Sequence, residues 1–457
     1  MQRKGVFFLS TVCFALLVST GAGLLIGNQT VAAQGAPNYK VVPLWPHPFP
    51  DDSWVIGSVS GVTVDSQNHI WVVHRGNDSL EGNEKGMAPA ATANGPGIPS
   101  SSVCCMAAPV VLEYDASGKY LSGFGGPSST YAWPQATGGI AVDGKGNVWI
   151  AAAGLEPAPP GGRGRGAAPA PAPAPAPAAA PPAGAPAAGA RGAAPDQAAG
   201  GRGGRGGAAP AAPAPPDAHV LKFSRTGLHM LTIGTPGKMD GADSQSTLNR
   251  PAAVAYDSVA NEVFVADSGN HRIVVFDADK GTYKRHWGAF GEKPTAEGGG
   301  NYDPNAAASR QFRDVTCVKI ARDGNVYVCD RSSNRIQVFD KTGKFIREGV
   351  VAKNTTGATA VLGGGASGVV SAHGSVYDIA FSSDQAQQYI FVADGTNKKV
   401  RVLSKSNLTE IGTIGNGGGR YPGQFLVVDA IATDAQGNVY TGENHHGKRV
   451  QKFVPGK

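Results

Sequence analysis

The sequence predicts an all-β fold, a six-bladed β-propeller with four-stranded blades, and three observations predict it. The 457-residue chain holds 65 Gly and 33 Pro, more than a fifth of its residues, a composition that favours turns over helices. One pattern recurs six times: a short apolar strand, an Asp/Gly/Asn turn, and a second strand with a central aromatic. Equivalent aromatics of the last two copies, Phe391 and Tyr440, stand about 49 positions apart, room for four strands and their turns.

The chain opens on a targeting segment, residues 1–33. Arg3 and Lys4 precede an apolar run from Val6 to Ile26, and Val31-Ala32-Ala33 offers small residues for a signal peptidase. The mature chain is therefore expected to begin near Gln34 and to be exported, periplasmic or secreted. An uncleaved anchor is the competing reading, because the run is long enough to span a bilayer.

The propeller is assigned to residues 39–457. Its copies read "SGVTVDSQNHIWVVHRGN", "GGIAVDGKGNVWIAAAG", "AAVAYDSVANEVFVADSGNHRIVVFD", "TCVKIARDGNVYVCDRSSNRIQVFD", "YDIAFSSDQAQQYIFVADGTNKKVRVL" and "DAIATDAQGNVYTGENHHGKRVQKF". A polar turn such as Ser268-Gly269-Asn270-His271 follows each aromatic strand, then a third strand, a turn such as Lys341-Thr342-Gly343, and a fourth strand. A Gly/Ala/Pro loop from about Asp78 to Ala108 interrupts the first blade. An Ala/Pro/Gly/Arg insert, residues 155–217, interrupts the second; it cannot bury enough apolar surface to offset its ordering entropy and reads as a disordered tether. The sixth copy lacks a fourth strand. "YKVVPLWP", Tyr39 to Pro46, is the candidate that completes it and closes the ring.

Net charge is +6, but Arg3 and Lys4 leave with the signal, and Arg163, Arg165, Arg191, Arg202 and Arg205 lie in the insert. The rest is close to balanced, so no nucleic-acid partner is expected, despite the likeness of "GGRGGRGG" to RNA-binding tracts. Export exposes Cys104, Cys105, Cys317 and Cys329 to a compartment that permits disulfides. Cys317 and Cys329 fall on neighbouring strands of one hairpin, where bridging depends on register. Cys104 and Cys105 are adjacent and would form a strained ring with each other.

"VADSGNHRIVVFD" and "VCDRSSNRIQVFD" are close to the NHL repeat pattern. Within that superfamily, the order of "VVHRGND", "FVADSGNHRIVVF", "VCDRSSNRIQVFDKTGKFIRE" and "NVYTGENHHGKRVQKF" most resembles the peptidyl-hydroxyglycine amidating lyases. The resemblance implies a six-bladed propeller and two arginines at a substrate cavity, which Arg75 and Arg331 match. In that family, three histidines from alternate blades bind an axial zinc; Gly138, Thr316 and Asp429 stand there in this chain, and Ala430 replaces a calcium-binding aspartate. A catalytic zinc needs three protein ligands and an open position, and this trio supplies at most one good ligand. The family's catalytic tyrosine falls in a turn where Ser268 is nearest.

By the same alignment, Ser60, Gly138, Ala252, Thr316, Tyr377 and Asp429 line the channel, a small polar ring expected to hold water. One cation, zinc or calcium, near Asp429 and Asp378 is the alternative to a cofactor-free channel. Arg75 and Arg331 suit a carboxylate contacted bidentately, or else each pairs with a local acid. His74, His271 and the pair His445-His446 read as exposed turn histidines. No nucleophile elbow, H-E-x-x-H or phosphate loop occurs.

Two functions from different classes follow. The favoured one is an exported NHL propeller that binds a peptide, an anionic small molecule or a protein partner. The other is a metal-dependent carbon–nitrogen lyase or hydrolase with a metal re-sited among Asp429, Asp378, His74 and His445. A structural envelope protein tethered by its insert is a third.

Overall fold

The computed structural model describes residues 35–80, 84, 105–154, 217–355, 358–360, 370–372 and 374–456. The segment read as a signal peptide lies outside the described residues, as do Cys104 and residues 155–216 of the insert.

Six four-stranded antiparallel sheets follow one another. Their innermost strands are Val59–Val64, Thr137–Val142, Pro251–Asp257, Val315–Ile320, Asp378–Phe381 and Val428–Thr433, which define blades 1 to 6. Each innermost strand packs on the next, and that of blade 6 packs back on blade 1, so the ring closes. Tyr39–Val42 pairs with Arg449–Pro455, Tyr39 opposite Pro455 and Val42 opposite Lys452, and is the fourth strand of blade 6. The expected closing strand forms, though it ends at Val42 rather than Pro46.

Second strands are buried along their whole length, as in Glu262–Asp267 and Val326–Asp330, save for Tyr389 at the start of that of blade 5, because a neighbouring blade covers each face. They read as near-continuous apolar runs. Outermost strands such as Phe345–Val350 are only partly buried and carry charges. Six apolar clusters lie in the six gaps between blades. Trp149, Val220, Val254 and Val265 fill the gap between blades 2 and 3, for example, and Ile431, Val439, Phe391 and Val402 that between blades 5 and 6. Burial between blades, rather than within one sheet, makes each blade depend on its neighbours.

Turn chemistry explains the repeated aspartates. Asp65 Oδ1 accepts the N–H groups of Gln67 at 2.8 Å and His69 at 2.9 Å, and Asp143 and Asp434 act likewise in blades 2 and 6. Each of these turns needs a residue at positive φ, supplied by Asn68 (59°), Gly146 (81°) and Gly437 (83°).

A second aspartate anchors the opposite face. Buried Asp267 accepts from Asn249 N–H at 2.7 Å and from Arg272 Nε at 2.8 Å, while the Arg272 guanidinium donates to the carbonyls of Ala242, Ser244 and Thr247. The pair is completely enclosed. Asp330–Arg335, Asp394–Arg401 and Glu443–Arg449 repeat it in blades 4 to 6. In blades 3, 4 and 6 the pair clamps the connection between blades onto the turn after the second strand. Asp217, assigned from sequence to the end of the insert, instead belongs to blade 2: it is buried and accepts the N–H groups of Gln135, Ala136 and Gly154. Those amides need an acceptor, which an insert residue in solvent would not provide.

Cys317 and Cys329 face each other in register across the first two strands of blade 4 and form a disulfide with a Cα–Cα distance of 4.9 Å. Cys105 is also disulfide-bonded. Among the described residues, no helix is long and apolar enough to cross a membrane.

Candidate functional site

The innermost strands share an irregularity near their starts. Register skips Ser60 between Val59 and Gly61, Ala252 between Pro251 and Ala253, Thr316 between Val315 and Cys317, and Asp429 between Val428 and Ala430. In blade 2 the skip spans Gly138 and Gly139; in blade 5 Tyr377 immediately precedes its strand and donates its N–H to Ala393. Such bulges re-aim a side chain out of the ladder. Five of the six positions assigned to the channel from sequence thus fall in bulges, and Tyr377 of blade 5 falls just before its strand.

Their contacts run both between blades and within them. Ser60 Oγ lies 3.0 Å from Thr137 Oγ1, which lies 3.2 Å from the His74 carbonyl. Thr316 donates to the Val376 carbonyl at 3.0 Å, the Tyr377 hydroxyl meets Thr396 Oγ1 at 3.0 Å, and Asn444 donates to Asp429 at 2.7 Å. Asp378 accepts from Ile431 N–H at 3.1 Å and pairs with Lys319 at 3.0 Å. Burial pushes its carboxyl above the ordinary range, against the pull of the Lys319 ammonium.

The residues present do not fit an axial zinc. Gly138 and Thr316 offer no strong ligand, and a Cβ on Gly138 would fall 2.5 Å from the carbonyl oxygen of Ala252, so the backbone of blade 3 occupies the space a side chain would need. Asp378 is committed to an ammonium. Among the described residues, the one group of three potential ligands within 4.8 Å of one another is Asp65, His69 and Glu113, at the far face of blade 1. The Arg225 guanidinium from blade 2 occupies it, pairing with Asp65 at 3.0 Å and with Glu113. His69 Nδ1 lies 2.7 Å from Glu113, and Arg225 also stacks over Trp71. This clasp was not read from sequence, because its members are spread from Asp65 to Arg225; the recurring turn aspartate was its one visible signal.

Arg75 and Arg331 occupy equivalent turns of blades 1 and 4, three blades apart and so across the ring axis. Arg331 takes the local-acid option: its Nε donates to Asp314 at 2.7 Å, and its guanidinium lies 4.8 Å from the centre of the Tyr377 ring. Burial raises the Asp314 carboxyl, but Arg331, Ser332 and Ser268 outweigh it and hold it below the usual range. Asp314 was missed from sequence.

Arg75 differs. Its Nε is buried and has no hydrogen-bond partner, and no carboxylate is paired with it among the described residues. The residue facing the turn explains this: Arg331 donates its backbone N–H to Asp314, whereas Arg75 donates its own to Ser58, so blade 1 has a hydroxyl where blade 4 has a carboxylate. The turn differs in a second way. At the position of Asp267, Asp330, Asp394 and Glu443, blade 1 has His74, whose Nδ1 accepts the N–H groups of Gly57 and Gly76, both at 3.1 Å. Nε2 must then carry the proton, and it donates to the Pro109 carbonyl at 3.0 Å. His74, expected to be exposed, is completely buried with both nitrogens committed, because blade 1 needs an acceptor for those amides as the other blades do. Burial pushes its pKa down to about 4. A neutral imidazole thus stands in blade 1 where blades 3 to 6 hold the carboxylate that pairs with a third-strand arginine. His271, His445 and His446 are half-buried rather than exposed.

With this geometry in place, the class of fold is defined: a six-bladed β-propeller that carries NHL repeats. The NHL repeat model matches residues 248–276 and 312–339, in blades 3 and 4. The chain is similar, at 10% identity, to virginiamycin B lyase from Staphylococcus aureus: a catalytically inactive variant solved with quinupristin (TM-score 0.40, 92% of this chain, 89% of that one) and a selenomethionine form (0.43, 91% and 99%). A streptogramin B lyase structure is similar at 10% identity, TM-score 0.41, over 92% and 98% of the two chains. No curated protein matches.

Proposed function

We propose that the protein is an exported binding module, a divergent relative of the amidating-lyase scaffold without its zinc, that takes a carboxylate of a peptide or small molecule at Arg75. The single observation that carries this reading is that Arg75 meets Ser58 where the equivalent Arg331 meets Asp314, and pairs with no carboxylate among the described residues. A guanidinium without a protein carboxylate suits a carboxylate ligand, which supplies a charge-assisted acceptor. Arg331, already paired with Asp314, contributes more through position than through free charge.

Calorimetric titration with N-acetyl-Phe-Gly and its amide tests the proposal. The acid form is expected to bind more tightly. Arg75→Gln is expected to weaken it about tenfold or more, the scale of one charged hydrogen bond, and Arg331→Gln to weaken it less. Equal affinity for acid and amide, or one tightly held zinc per purified chain with glyoxylate released from a peptidyl-hydroxyglycine, would overturn it.

A further inference from the structure

Two residues before the position assigned to the channel in each blade, on the arginine-bearing face, stand Ser58, Ala136, Arg250, Asp314, Ser375 and Val427. Arg250 alone among them is basic. In blade 4 this column supplies the carboxylate that pairs with Arg331; in blade 3 it supplies a positive charge instead.

Arg250 has no counter-charge of its own. Its backbone N–H donates to the Asp217 carbonyl at 3.0 Å, but its guanidinium makes no ion pair or hydrogen bond among the described residues, although the residue is half-buried. Taking a cation partly out of water is costly without an acceptor. The backbone is unusual as well. Arg250 has a φ of 49°, in the left-handed region, and it immediately precedes Pro251, which favours extended backbone in the residue ahead of it. Such outliers concentrate at ligand-binding sites.

The side chain runs from blade 3 across blade 2. Its methylenes lie on Gly154, where a Cβ would fall 2.9 Å from Arg250 Cγ and 3.2 Å from Cδ. Gly154 belongs to the turn of blade 2 that corresponds to the Arg75 turn of blade 1: the Ala153 N–H donates to the Ala136 carbonyl at 2.9 Å, as the Arg75 N–H does to that of Ser58. Thr137 Oγ1, 3.2 Å from the His74 carbonyl, ties the two blades together there. Arg75 and Arg250 thus stand on neighbouring turns of one face, and neither is paired with a carboxylate among the described residues. Packed sheets lie about 10 Å apart and arginine is long, so two guanidinium groups on adjacent turns can reach one small ligand.

We propose that Arg250 is a second anion contact and that the ligand carries two carboxylates, as an acidic C-terminal residue does, its α-carboxylate at Arg75 and its side-chain carboxylate at Arg250. This rests on the assignment of Arg75 to a carboxylate.

Calorimetric titration of the full chain with three peptides separates the two contacts: N-acetyl-Phe-Glu, N-acetyl-Phe-Gln, which lacks the second charge, and the α-amide of N-acetyl-Phe-Glu, which lacks the first. N-acetyl-Phe-Glu is expected to bind about tenfold more tightly than either, the low end of one charged hydrogen bond. Arg250→Gln is expected to abolish the preference for Glu over Gln, and Arg250→Lys, which keeps the charge, to retain part of it. Arg75→Gln is expected to weaken both acids and keep the preference. Equal affinity for the Glu and Gln peptides, or a preference that survives Arg250→Gln, would overturn the second contact; the Arg75 reading would still stand if both acids outbind the α-amide. An α-amide as tight as its acid would overturn the Arg75 reading and with it the paired carboxylates, and absence of saturable binding by all three would overturn both.

Discussion

The backbone N–H of Gly76 donates to Nδ1 of His74 at 3.1 Å, so the turn that carries Arg75 is built on a neutral imidazole rather than on a carboxylate. Acid-sensitivity follows with a definite sign. The pKa of His74 is held down near 4 in the folded protein by burial, against 6.5 when unfolded. Between these values only the unfolded chain takes up the proton. The contribution, about 3 kcal/mol, is thus complete above pH 6.5 and is lost as pH falls toward 4. His74→Asn cannot protonate there. At pH 8 it is expected to be about 1 to 3 kcal/mol less stable than wild type by urea unfolding, and the difference should shrink on acidification. A constant difference from pH 8 to pH 4.5 would argue against a buried neutral His74.

Ring closure depends on four residues. Removing the chain through Leu44 leaves Arg449–Pro455 as an exposed edge and uncovers Phe391, against which the Tyr39 ring packs at 5.5 Å. The product is expected to be insoluble or to melt about 10 °C or more below the full chain. An unchanged Tm would show that the strand is dispensable.

Arg225 stands where a cation would stand among Asp65, His69 and Glu113. Arg225→Ala is expected to lose stability, since it leaves two carboxylates close together with no counter-charge. Zinc should restore much of it, by about 2.7 kcal/mol at a hundredfold excess over Kd, and should leave wild type unmoved. Thermal melts with and without zinc decide this; an equal response from both chains would mean that the metal binds elsewhere.

Much of the frame was legible because its causes are local. Strand alternation, the Asp-to-Asn or Asp-to-Gly turns and the missing fourth strand of the last copy sit within a few residues of one another in sequence. The irregular starts of the innermost strands recur by register, because in blades 1, 3, 4 and 6 the skipped residue falls at the same place in its repeat. What escaped is non-local or is a substitution of role. His74 looked like the end of a surface strand, although aligning "VVHRG" with "VADSG", "VCDRS" and "VADGT" puts it in the column of buried acids. Arg225 meets Glu113 only after two blades have packed. The rings of Trp45 and Tyr114 meet only once the N-terminal segment has crossed the side of blade 1.

The Ala252 carbonyl pressed against Gly138 has an engineering consequence. Editing Gly138, Thr316 and Asp429 to imidazoles would not recreate a metalloenzyme, because blades 2 and 3 would first have to be re-spaced. The complementary trio of Ser60, Ala252 and Tyr377 already carries side chains on the other three alternate blades, and a designer seeking to install a tripod would start from there.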